Sequence, residues 1–202
     1  YCRLVAIDRE QPDERLAVHV RRAFGAAPKT EPETYNLAAF VALAWLTVGD
    51  DRVADLAPGS AKRVRACGRP DEPILLNGRE DLAKHWAFSA ALVGVLGTDA
   101  TRALGRWKEL DDSLPQGSGF SFVDLAADRS GVYAAQRALD PATSAAWARR
   151  LARATEQQLL PLALLTAREG LSEQQFLARY GTVASGDYQA TVASIDREQP
   201  DE

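Results

Sequence analysis

The segment REDLAKHWAFSAALVGVLG, Arg79 to Gly97, is polar only at its start; after His85, apolar residues occupy nearly every side of a 3.6-residue period. A helix of that kind is stable in water only with other elements packed around it. It therefore predicts a central helix, and the rest of the chain has to supply the partners.

The partners read as helices too. In PDERLAVHVRRAFG, Asp13 is placed to cap a helix with Leu16, Val20, Ala23 and Phe24 on its inner side and Gly25 as its stop. ETYNLAAFVALAWLTVG carries a second helix to Gly49, and Asp50 to Leu56 adds a short one. Pro58 to Pro73, with Gly59, Gly68, Pro70 and the charges of KRVR, reads as an irregular connection. Beyond the central helix, Thr98 is placed to cap a helix running to Asp112, which the loop SLPQGSG breaks. Ser121 and Asp124 resemble a capping box for a helix to Leu139. Asp140 and Pro141 restart another, which Pro161 kinks or splits. Ser172 to Gly181 forms a short capped helix, and Ser185 caps a last one. PILLNG is a lone extended piece ending in an Asn-Gly turn. The expectation is an all-α fold: a compact multi-helix bundle around a central apolar helix. It forms one helical domain over residues 1–202, with a subdivision into N-terminal helices (1–70) and a core bundle (71–202).

Charge and length exclude some classes. The net charge is −4 and the 24 Lys and Arg are interleaved with acids, so no basic face for nucleic acid emerges. The longest apolar run, Leu37 to Val48, falls short of the ~20 residues a membrane span requires. There is no Met, which suggests a chain that begins inside a longer precursor or has lost its start. Cys2 and Cys67 are either a bridge, worth about 4 kcal/mol in the chain-entropy treatment, or two unrelated buried thiols. A cysteine so near the start also suits lipid attachment, against which Tyr1 argues. IDREQPDE occurs at Ile7–Glu14 and again at Ile195–Glu202. The copies are read either as a plain duplication or as a route to self-association, one copy taking the other's seat in a neighbouring molecule.

The chemistry-bearing residues gather around the broken loop. Asp124, Asp128, Gly131 and Ala135 fall on one helical stripe, and small residues there let another backbone approach and draw both carboxylates inside. The preceding helix offers Lys108, Glu109 and Asp112; the central helix offers Lys84 and His85 where its polar start turns apolar. Three uses remain open. His85, Asp112, Asp124 and Asp128 are candidate ligands of a divalent cation; with only two His in the chain, a multi-His zinc site is excluded. Glu109 and His85 are candidate acid and base, with Glu109 alternatively a ligand. Or the network is structural, Lys–Asp pairs holding three helices in register. Lys84, Lys108 and Ser118 are the candidate substrate-binding residues, the lysines as neutralisers of charge and Ser118 in a loop that leads into a helix N-terminus. The same loop reads equally as a tight connection capped by Ser121. GSGFSF lacks the spacing of a nucleophile elbow. His19 reads as a surface or boundary residue, and Trp45, Trp86, Trp107 and Trp147 as core, with Leu104 beside Trp107 on the inner face.

Lys84 and His85, then Lys108, Glu109, Asp112 and Ser113, then Gly117, Ser118, Gly119, Ser121, Asp124, Asp128 and Gly131 together resemble the pattern K-H … K-E-x-x-D-S … G-S-G-x-S-x-x-D-x-x-x-D-x-x-G. This is the pattern of an uncharacterised family of predicted bacterial periplasmic lipoproteins. A fainter likeness is to VanZ-like membrane proteins, from which the chain departs in lacking membrane-length helices. The resemblance spans about a quarter of the chain and implies a periplasmic or cell-envelope location, a helical core and a polar site, but no activity. The resulting expectation is an envelope-associated helical protein with a His/carboxylate site, serving metal-assisted or acid–base hydrolysis of an envelope component. The alternative is a non-enzymatic interaction or scaffold module whose charged core is architecture.

Overall fold

The computed structural model describes residues 1–25, 31–49 and 51–199. In chain order the helices are α1 (Cys2–Glu10), α2 (Leu16–Phe24), α3 (Pro32–Thr47), α4 (Asp51–Ala54), α5 (Ala61–Cys67), α6 (Glu80–Leu96), α7 (Thr98–Asp112), α8 (Phe122–Leu139), α9 (Ser144–Leu151), α10 (Glu156–Leu159), α11 (Glu173–Tyr180) and α12 (Gly186–Arg197). A 3-10 turn, Leu162–Thr166, follows α10. The fold is all-α. Extended pairing among the described residues is confined to isolated bridges, including one across the Asn77-Gly78 turn, where both residues take positive φ.

The predicted central helix is α6, and it shares the centre with α8. Gly131 is the reason the two run so close. A side chain there would collide with the backbone carbonyl of Trp86 on α6, so only the absent Cβ permits this approach. The buried faces of both helices are rich in alanine, among them Ala87, Ala90, Ala127 and Ala135. α3 packs across the pair. Its buried Asn36 donates to the carbonyls of Ala138 (2.7 Å) and Ser144 (3.2 Å), pinning α3 to the end of α8 and the start of α9. Trp86 stacks near Phe40 of α3 and donates its indole N–H to Leu159 O at 3.1 Å. Phe120, Phe122, Phe176, Tyr180 and Tyr188 form one aromatic cluster that fastens α11 and α12 to the beginning of α8.

Several local readings are corrected. α2 begins at Leu16, because Arg15 takes both oxygens of Asp13; the free amide of Ala17 is capped instead by Glu156 Oε1 (2.7 Å), from far along the chain. Gly97, with φ 78°, ends α6 and passes directly into α7, so Thr98 is the first residue of α7 and does not cap it. The Asp140 carboxylate instead forms a turn with the amide of Ala142, and α9 starts at Ser144. Pro58–Pro73 is not wholly irregular: it holds α5, which packs on α1, itself missed from sequence. Cys2 and Cys67 are bridged, and Tyr1 Oη donates to Gly68 O (2.7 Å) beside the bridge. His19 is fully buried, with Nε2 2.7 Å from Asp13 O and 3.6 Å from Asp8 Oδ1. Trp107 and Leu104 are exposed, not core. The predicted caps Ser121, Ser172 and Ser185 all accept from the third residue onward. Of the short helix expected from Asp50, Asp50 lies outside the described residues, as do the last three residues of the second IDREQPDE copy.

Candidate functional site

Helix spacing alone sets one side of the site. Asp81, His85, Ser89 and Leu92 recur every three or four residues and share one face of α6. α8 faces it with Asp124 and Asp128, and α7 passes across with Leu104, Gly105 and Lys108. Between them lies a cleft of about 250 Å³, apolar at Val48, Phe88 and Leu92 and charged at His85, Lys108 and Asp128. Gly105 is what admits Asp128. A Cβ at that position would stand 2.8 Å from Asp128 Oδ2, so α7 crosses the carboxylate with only backbone in the way.

At the centre, Asp128 Oδ1 accepts from His85 Nδ1 at 3.0 Å and from Ser89 Oγ at 2.7 Å. Its other oxygen, Oδ2, is buried and has no hydrogen-bond partner among the described residues. On the other ring nitrogen, His85 Nε2 lies 3.6 Å from Asp124 Oδ2. Glu109, wholly buried, accepts from the Ser121 amide (3.0 Å) and from Lys108 Nζ (3.1 Å). One ligand atom each from His85, Glu109 and Asp128 lie within 4.8 Å of one another. Three helices thus bring an imidazole and two carboxylates to one point.

The electrostatics follow from burial and proximity. Burial works against a charged His85 ring, but the Asp128 carboxylate, its hydrogen bond and the nearby Asp124 outweigh it, and the group is pushed up to about 9. The imidazole is therefore charged at neutral pH. Burial pushes Glu109 up to about 7, against the pull of Lys108, His85 and the Ser121 amide. Burial also raises Asp124, with His85 opposing it. Burial opposes the charge on Lys108, yet its bonds to Asp112 and Glu109 hold it above its ordinary value.

The remaining expected residues stand further out. Asp112 is bound to Lys108 Nζ at 2.5 Å and takes no part in the three-ligand group. Lys84 pairs with Glu80 Oε1 at 2.7 Å on the rim of the cleft. Ser118 is exposed on the loop and does not line the cleft. The loop is a tight connection: Gly119 N donates to Asp112 O, and Phe120 exchanges two backbone bonds with Leu171. At the start of α8, the amides of Ser121, Phe122 and Asp124 are taken by Glu109, Arg168 O and Ser121 Oγ. An anion at this helix start would have to displace those partners.

Two participants escape the sequence reading. Ser89 lies one turn beyond His85, and that spacing was a usable signal. Arg79 binds Asp81 Oδ2 (2.6 Å) and Glu169 Oε1 (2.8 Å) and reaches Asp124 Oδ1 at 3.5 Å. Its link to Glu169 spans 90 residues, and no local pattern announces it. Comparison of the chain with family models, with curated proteins and with solved structures gives no match.

Proposed function

We propose that the chain is an envelope protein whose His85, Glu109 and Asp128 hold a divalent cation, and that this centre serves hydrolysis of an envelope component entering the adjacent cleft. The observation that carries the reading is the convergence of three ligand atoms from three helices, with the buried Asp128 Oδ2 left unpartnered. An unsatisfied buried carboxylate oxygen is costly unless something binds it. Burial holds Glu109 and Asp124 partly back from ionising, and a cation would relieve that as well. One imidazole and otherwise oxygen ligands suit Mn, Mg or Ca better than a thiolate-loving metal. Such an ion polarises a carbonyl or phosphoryl oxygen and lowers the pKa of bound water. His85 and Lys108 line the cleft where a substrate's polar group would sit, and Phe88 and Leu92 would take its apolar part. The Cys2–Cys67 bridge supports an oxidising compartment, as the envelope location requires.

The test is elemental analysis of the purified protein together with thermal unfolding against Mn²⁺, Mg²⁺, Ca²⁺ and Zn²⁺. A cation at a hundredfold excess over its Kd stabilises by about 2.7 kcal/mol. That gain should be absent in Asp128→Asn and His85→Gln. No stoichiometric metal, and no stabilisation by any of the four ions at pH 8.5, overturns the reading.

A second reading is favoured by the pairs already present. Lys108 serves Glu109 and Asp112, Ser89 and His85 serve Asp128, and Arg79 serves Asp124. A network so supplied can hold three helices in register as a scaffold without any ligand. Under it, the same variants lose stability equally with and without added metal.

A further inference from the structure

The flank of α7 that faces α8 and α12 carries a second feature, separate from the His85 cleft. Arg102 and Arg106 are half-buried there, four residues apart on the same stripe as the buried Glu109 three residues further on. Across from them stand Arg129 of α8 and Tyr188 of α12, and the four side chains enclose a cleft of about 230 Å³ with Asp99 also on its wall. Like charges so close repel, and folded chains normally dissipate the repulsion with interleaved carboxylates. Here the only carboxylate bonded to any of the three guanidiniums, among the described residues, is Asp196, which grips Arg129 through two hydrogen bonds. Arg102 Nε is buried and has no acceptor among the described residues. A buried guanidinium N–H without an acceptor, on a residue that lines a cleft with two further cations, is an arrangement that a bound anion would complete.

We propose that Arg102, Arg106, Arg129 and Tyr188 form a binding site for a small phosphate-type oxyanion, either free phosphate or the phosphate of a larger molecule. Three guanidiniums from two helices, with a phenol from a third, match a tetrahedral group with several acceptor oxygens better than a planar carboxylate with two. Burial first, only partly offset by Arg106 and Arg129, pushes the Tyr188 hydroxyl up to about 12, so it stays a donor throughout the neutral range. The Arg129–Asp196 pair sets the strength of the site. While Asp196 holds Arg129, two cations are free to act; when it is removed, three are. Asp196 lies in the second copy of IDREQPDE, which gives that copy a chemical role in the site.

The experiment is an amide NMR titration with inorganic phosphate at constant ionic strength, with chloride as the control. Shifts confined to α7, α8 and α12 that saturate with phosphate and not with chloride are the expected result. Arg102→Gln and Arg106→Gln should each weaken binding about tenfold, the effect of losing one charge-assisted bond. Asp196→Asn should strengthen it several-fold. Unchanged circular dichroism and melting temperature in the two arginine variants show that the loss is not one of folding. Sedimentation with phosphatidate vesicles separates the sources: Arg102-dependent capture identifies a lipid headgroup, and phosphate binding without capture identifies a free or water-borne phosphate. No phosphate-specific shift, or the same affinity in wild type and Arg102→Gln, overturns the proposal.

Discussion

His85 Nδ1 and Asp128 Oδ1 stand 3.0 Å apart between the two most closely packed helices of the fold, and each residue is held there by something other than the other. Asp128 has Ser89 as a second donor and the bare backbone of Gly105 beside it; His85 has Asp124 on its far nitrogen. The pair is therefore a consequence of how α6, α7 and α8 meet, and its strength reads out that meeting.

That coupling fixes how stability depends on pH. His85 is pushed up from 6.5 to about 9, so its contribution is fully present below 6.5 and is lost as pH rises through 9. The size is up to about 3 kcal/mol. Glu109, pushed up from 4.5 to about 7, has the same sign over a lower window: the fold binds its proton more tightly than the unfolded chain does, and stability falls between those values. His19 opposes both. Its burial lowers its pKa, so the fold loses stability as pH falls below 6.5 and that ring must charge. Urea unfolding should therefore show a decline from pH 6.5 to 9.5. In Asp128→Asn that decline should largely vanish, and an unchanged slope in the variant would sink the assignment to His85.

Gly131→Ala tests the closeness of α6 and α8. The new methyl would strike the Trp86 carbonyl, and backbone cannot give way as a side-chain tip can. Overpacking costs about 1–3 kcal/mol; against a backbone obstacle the upper part of that range applies, which exceeds the gain in helix propensity of roughly 1 kcal/mol. Denaturant midpoints measure it. Because the helices would part, the His85 pKa followed by NMR should fall in the same variant.

Much of this was written in local spacing and some of it was not. The stripe Asp124, Asp128, Gly131, Ala135 was legible because a helix turns small residues and carboxylates onto one line, and Gly131 meets Trp86 as a small-residue stripe requires. Glu109 and His85 were legible as charges placed where a helix turns inward. His19 was not. Its environment is built by the end of α1 and by the turn before α2, and α1 carries too weak an apolar pattern to be seen in sequence. Trp107 failed for the opposite reason. Its type says core, yet the inward face of α7 is taken by Thr101, Gly105 and Glu109, which leaves the indole outside. Glu156 capping α2 and Arg79 reaching Glu169 join residues 139 and 90 positions apart, a distance at which no periodicity operates.

The Cys2–Cys67 bridge fastens α1 to α5 across a sequence separation of 65. Neither helix is long, and α5 buries only Val64 of its own residues. Reduction should cost about 4 kcal/mol of global stability in the chain-entropy treatment. Melting temperatures with and without reductant, and the Cys2→Ser, Cys67→Ser double variant, check this. Loss of protection confined to α1 and α5 in hydrogen exchange would instead show that the bridge secures only the N-terminal layer.

Metal binding at the His85 centre has to compete with the proton that Asp128 and Asp124 help retain on the ring. A ligating imidazole must be neutral, so each cation bound expels one proton while pH is below about 9. Glu109 adds a second proton below about 7. Affinity should then rise about tenfold per pH unit between 7 and 9, and more steeply below 7. Calorimetry with Mn²⁺ in buffers of different ionisation enthalpy reports the protons released directly. One proton at pH 8 and between one and two at pH 6.5 is the expected count. Binding that releases none would place the ion on other carboxylates, away from His85. Ser89→Ala separates the contributions further. Losing a hydroxyl that donates to Asp128 Oδ1 costs the apo fold about 1–3 kcal/mol and leaves the carboxylate, whose Oδ2 is already unpartnered, with one donor fewer to compete with the cation. The variant should be less stable without metal and should recover more of its stability when metal is added.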